Sequence, residues 1–81
     1  MILDLYVKKE TDGYSARIPS LEGVETWAHD EEEAIDKVLD LLLFYFNIPD
    51  KKEITVDRAA KRGDEIRYKI IFGRTHERVF D

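Results

Sequence analysis

The side chains of this sequence that could do chemistry are few, and their spacing keeps them apart. His29 and His76 are distant from one another, neither stands at a metal-ligand spacing from a second histidine, and there is no cysteine to complete a zinc site. The same lack of cysteine rules out a thiolate nucleophile and any disulfide framework. Ser15 and Ser20 are the only serines, and neither lies in a glycine-flanked nucleophile elbow. Gly13, Gly23, Gly63 and Gly73 do not cluster into a phosphate-cradling loop. The densest run of carboxylates, Glu31-Glu32-Glu33 with Asp36, could in principle hold Mg²⁺. Successive helical residues point in different directions, however, so these groups do not converge on one ion and read instead as capping and surface charge. Together these residues predict a protein without catalytic activity, metal or other cofactor, whose work is binding.

The elements that must position its side chains follow from periodicity. Over residues 2–8, Leu3, Leu5 and Val7 alternate with Asp4, Tyr6 and Lys8, the pattern of a half-buried strand. Glu10-Thr11-Asp12-Gly13 then reverses the chain, with Asp-Gly supplying residues tolerant of positive φ. Tyr14, Ala16 and Ile18 share one face of a second strand that Pro19 ends, because proline cannot donate to a ladder. Residues 24–28 read as a third strand, with Val24, Thr26 and Ala28 on one face and Glu25 and Trp27 on the other. Asp30 is a helix N-cap with Glu33 at the capping-box position, and Glu31 and Glu32 suit the positive end of the dipole. Ile35, Val38, Leu39, Leu42 and Phe46 recur at helical spacing from there, and Asn47-Ile48-Pro49 stops the helix at residues 31–46.

The last third carries weaker patterning. Ile66, Tyr68, Ile70 and Phe72 alternate with Arg67 and Lys69 in a strand over residues 65–72. Residues 53–57 form an edge strand hairpinned onto it through residues 59–64, the reading favoured here, or lead into a short helix ending at Gly63. Residues 74–81 have little pattern and read as a tail, loose or ordered on binding. The expected fold is therefore α+β: an antiparallel sheet in the order β-β-β-α-(β)-β with one main helix on one face, in a single domain of residues 1–73.

Composition agrees. A chain of 81 residues supports one core, since a domain of this size buries only about 60% of its unfolded surface. With 43% apolar residues and charges of mixed sign, it folds rather than remaining disordered. No apolar run approaches the roughly 20 residues of a membrane span, and residues 1–5 lack a signal-peptide pattern, so a cytoplasmic location is expected. Charge is divided unevenly. Residues 1–50 carry four Lys/Arg against twelve Asp/Glu, a net −8, whereas residues 51–81 carry nine against six, a net +3. Direct binding to nucleic acid, which needs a basic stripe, is not expected. A basic protein is the expected partner.

Two surfaces stand out. Opposite the buried leucines, the sheet should show Tyr6, Arg17, Glu25, Trp27, Arg67 and Lys69, among which Trp27 is the candidate anchor for a partner. Glu31, Glu32 and Asp36 would supply the carboxylates around it. The helix also carries more apolar surface than one small sheet requires. Leu41, Leu43 and Tyr45 widen its arc and Phe44 lies opposite the core, so a homo-oligomer is expected through Leu41, Phe44 and Tyr45. Cover by the C-terminal segment is the alternative for Phe44.

Residues 12–39 resemble the signature of HicB-family antitoxins. Asp12-Gly13-Tyr14, then Pro19, Leu21 and Gly23, then Glu33-Ala34 at the head of the helix fill the family positions in order and at the family spacing. This covers the second strand, the third strand and the first half of the helix. The resemblance implies a fold like a pared-down ribonuclease H domain without its catalytic acids. It also implies a function: binding and blocking a small basic RNA-cleaving toxin of the HicA type. The sequence departs from the family at Glu22, where proline is common, and at Trp27-Ala28-His29, where a small-residue turn is common. Residues 50–81 match neither of the DNA-binding modules that full-length members carry. A stand-alone HicB-fold scaffold or dimerisation module is the second reading.

Overall fold

A computed structural model describes residues 1–73. The expected tail, residues 74–81, lies outside the described residues. The architecture is α+β, with strands β1 (Ile2–Lys9), β2 (Tyr14–Arg17) and β3 (Glu25–Ala28) followed by helix α1 (Glu31–Phe46). A single 3₁₀ turn, Lys51–Glu53, leads into β4 (Ile54–Arg62) and β5 (Glu65–Phe72). The five described strands form one antiparallel sheet in the order β3-β2-β1-β5-β4.

Side-chain alternation decides which face is covered. Leu5, Val7, Ala16, Ile18, Ala28, Tyr68, Ile70 and Phe72 point to one side and meet Ala34, Val38, Leu39 and Leu42 of α1. Ile35 and Phe46 pack at the margin of this core rather than at its centre. The helix lies over β3, β2 and β1. It starts where β3 ends and runs back along the sheet, so that Phe46 reaches Phe72 with ring centroids 5.4 Å apart. Thr26 Oγ1 donates to the Ala34 carbonyl and ties the helix to β3.

Both helix ends are closed locally. The Glu33 amide donates to Asp30 Oδ1 at 2.8 Å, as a cap requires. At the other end Asn47 adopts a left-handed conformation, φ 57°, and its amide and that of Ile48 return to the Leu43 carbonyl. Ile48 is buried and pins the segment that carries the chain across to β4.

The C-terminal third resolves as a hairpin, with a longer first strand and a tighter turn than the sequence suggested. β4 runs on to Arg62, and the reversal takes only Gly63 and Asp64. Positive φ falls on Gly63 alone of this pair, at 60°, the II′ pattern whose twist matches the flanking strands. The longer strand was obscured by a β-bulge between Arg58 and Ala60, which breaks the two-residue period in mid-strand.

This packing predicts a contrast within one helix. Leu42 is fully buried and Phe44 is 85% exposed. Leu42→Ala should lower unfolding stability by about 2–5 kcal/mol, and Phe44→Ala by no more than about 0.5 kcal/mol in the monomer. Urea denaturation of both variants measures the difference.

Candidate functional site

The first turn of α1 concentrates carboxylates, and its geometry sorts them. Glu31 turns toward the sheet, where its carboxylate accepts from the Tyr68 hydroxyl. Tyr68 is 8% exposed because it falls in phase with Ile66, Ile70 and Phe72 on the covered face of β5. Burial, and then the bond to Glu31, raise the Tyr68 pKa above the usual phenol value, while the nearby Arg58 opposes the shift. Glu31 is thus committed to an internal bond and does not stand as a free rim carboxylate.

Glu32 and Asp36 do remain at the surface, where with Asp30 and Glu33 they line an open depression. Lys51 reaches Asp36 at 2.5 Å and Asp40 at 2.9 Å, and these two carboxylates hold its ammonium pKa above the ordinary lysine value. Glu33 has Lys37 one turn on, at 3.8 Å.

Trp27 lies on the other side of the sheet. Thr26 and Ala28 face the helix, so Glu25 and Trp27 face away from it. The indole is 43% exposed and meets His29 edge to face, with centroids 4.9 Å apart. Part of it covers Gly13. A Cβ at that position would stand 2.3 Å from the Ala28 carbonyl oxygen and 2.7 Å from the indole Cζ2. Gly13 is therefore required by close approach and not by positive φ, which it does not have. The four predicted partner-binding residues accordingly do not form one patch. Glu32 and Asp36 come together, Glu31 is drawn inward, and Trp27 belongs to the open face.

On that face the strands set residues in rows. One reads Glu25, Arg17, Tyr6, Arg67 and Ala60 across β3, β2, β1, β5 and β4. The Arg17 guanidinium lies 5.0 Å from the Tyr6 ring centroid and bonds Glu65 at 3.2 Å. Lys69 bonds Asp4 at 2.7 Å, which lowers the Asp4 carboxyl pKa. Ala60 and Arg62 were not singled out in the sequence, where residues 59–64 read as a connection, because the bulge that sets their facing leaves no periodic signal.

The helix presents Phe44, Tyr45 at 52% exposure and Leu41 at 36%. The Tyr45 ring edges onto Phe46. Among the described residues no group of three or more His, Cys, Asp or Glu side chains is placed to hold a metal ion. No described helix is long and apolar enough to cross a membrane.

The Tyr68 environment makes a pH prediction. In an unfolded chain the phenol ionises near pH 10, and in the fold it does so at a higher pH. Its contribution is complete below about pH 10 and is lost as pH rises through the folded value. Tyr68→Phe should cost on the order of 1 kcal/mol at neutral pH. Its thermal midpoint should then fall less than that of the parent between about pH 9.5 and 11, as followed by circular dichroism. No family model matches this chain, and no curated protein or solved structure matches it.

Proposed function

We propose that this chain is a binding domain of the HicB antitoxin type, which neutralises a small basic RNA-cleaving toxin of the HicA type by occlusion. The observation that carries this reading is the carboxylate-lined flank of α1, where Asp30, Glu32, Glu33 and Asp36 surround one open depression. The net −8 of residues 1–50 supports it, as does the order of Asp12-Gly13-Tyr14, Pro19, Leu21, Gly23 and Glu33-Ala34 in the sequence. An inhibitor of an RNA-cleaving protein competes with phosphates for a cationic surface. Carboxylates serve that competition by steering encounter and excluding the anionic substrate. The five-stranded antiparallel sheet with one helix is a mixed fold compatible with this family. Its finer, ribonuclease H-like character remains part of the proposal.

The exposed Phe44, flanked on α1 by Leu41 and Tyr45, favours a second reading, a HicB-fold scaffold that self-associates. The two readings use different parts of the helix and can hold together.

The test of the first reading begins with the short reading frame adjacent to this gene. If it encodes a basic protein with a catalytic histidine, the two purified products should form a complex in which RNA cleavage is blocked. Glu32→Lys with Asp36→Lys should then slow association and flatten its salt dependence, and Trp27→Ala, if folded, should speed dissociation if the partner reaches the open face. Binding unchanged by the two helix substitutions would sink the acidic-flank assignment. RNA binding by the domain itself, with a steep salt slope, would sink the whole reading. For the second reading, sedimentation should show a homodimer or larger assembly that Phe44→Glu shifts toward monomer. A monomer from micromolar to near-millimolar concentration would rule it out.

A further inference from the structure

We propose that the concavity on the open sheet face between β1, β5 and β4 is an oxyanion site that takes a phosphate monoester. Tyr6, Ala60, Arg62, Glu65 and Arg67 line it, and its volume is about 220 Å³. It exists because of the bulge. The irregularity at Arg58/Ala60 puts the small Ala60 opposite Arg67, where a larger side chain would fill the space, and brings Arg62 opposite Glu65 at the far wall.

The charge in the site is unbalanced. Among the described residues Glu65 is its only carboxylate, and Arg17 already engages it at 3.2 Å. Neither Arg62 nor Arg67 forms an ion pair among the described residues. Lys8, opposite Glu65 on β1, adds a further cation to the same face. Two guanidinium groups therefore face one cavity whose single carboxylate among the described residues, Glu65, is already engaged by Arg17, while Asp4, which acts on Arg67 from along β1, is itself bonded to Lys69. A phosphate monoester, carrying about −1.5 to −2 charge at neutral pH, matches this pair better than a carboxylate does.

The second, independent observation is the state of Arg67. Its Nε is closed off from solvent and has no hydrogen-bond acceptor among the described residues. Buried donors without a partner are rare, and each calls for an explanation, a bound water or anion among them. A guanidinium presents Nε and one Nη as a fork that matches two oxygens of a phosphate. Binding requires a turn of the Arg67 side chain that brings this fork to a group entering the concavity. The volume exceeds that of an engineered cavity of about 150 Å³ that binds benzene. The Tyr6 ring and the Ala60 methyl are the apolar walls for the organic carrier of the phosphate. This site lies on the sheet face away from α1, so it stands or falls independently of the partner proposed above.

The test reads Arg67 itself. In ¹⁵N-labelled protein at constant ionic strength, the arginine Nε–H resonances are followed during titration with inorganic phosphate, phenyl phosphate, acetate and chloride. The Arg67 signal should shift saturably with both phosphates, and with phenyl phosphate at a several-fold lower concentration. Acetate and chloride should give no saturable shift. Lowering the pH below about 6, where the phosphate loses its second charge, should weaken binding. Arg62→Gln should abolish saturation, and Tyr6→Leu should remove the advantage of phenyl phosphate. Arg58→Gln, on the opposite face, should leave both titrations unchanged. Arg62 is exposed beside the turn, so its substitution tests the site even if Arg67→Gln fails to fold. A shift that follows ionic strength alike for all four anions, or one that survives Arg62→Gln, would overturn the proposal. Equal half-saturation by the two phosphates would overturn the ester assignment.

Discussion

The structure depends on the pairing of β1 with β5. Seven residue pairs, from Ile2 with Ile71 to Lys8 with Glu65, join the first strand to the last one described. Without them the molecule divides into two pieces of unequal worth. β1, β2 and β3 have α1 above them and can bury Leu5, Val7, Ala16, Ile18 and Ala28 against it. Among the described residues the β4–β5 hairpin has no helix of its own, and an isolated hairpin is marginal in water. It gains a core only by placing Tyr68, Ile70 and Phe72 beside β1, where Phe46 and Glu31 reach them from the two ends of the helix. The backbone bonds between Met1 and Phe72, at 2.7 and 3.0 Å, extend this seam to the end of the sheet.

That seam also explains the division of charge. The acidic half of the sequence supplies the helix, whose outer flank is free to carry carboxylates. The basic half supplies the hairpin, whose uncovered face carries Arg62, Arg67 and Lys69. Folding places the two on opposite sides of one thin sheet, so that a chain of net charge −5 presents an acidic flank and a partly basic face. The net charge of the whole chain describes neither surface.

Much of the fold was legible in the sequence because its elements are strongly periodic and plainly punctuated. Asp30 and the Asn47-Ile48-Pro49 stop marked the ends of α1, and the alternation of Ile66, Tyr68, Ile70 and Phe72 marked β5. The losses have separate physical causes. β4 was read as ending near residue 57, because a bulge inserts one residue and shifts the alternation out of phase. Gly13 was assigned to a turn conformation, but its necessity comes from Trp27 and the Ala28 carbonyl, which only tertiary structure brings near. Glu31 was grouped with its neighbours as surface charge. A tyrosine in phase with a buried row must find a partner for its hydroxyl, and the end of the helix places Glu31 in reach. The candidate surfaces were legible as residue types. How they divide between two faces was not, because that division depends on the register among five strands.

The seam between β1 and β5 also sets an order of events during synthesis. Roughly sixty residues separate the two strands, so at ribosomal speeds of about 5–20 residues per second β1 waits roughly 3–12 s for its central neighbour. During that interval β2, β3 and the helix can assemble on one side of it, leaving its other edge open. That edge carries Leu3, Leu5 and Val7 in a strand with unpaired backbone groups, a template for pairing with another nascent chain. The strand that ends at the middle of the finished sheet is thus, until β5 has been made, an outermost one. Conditions that slow translation of residues 54–72 lengthen the period in which the growing polypeptide is open to aggregation.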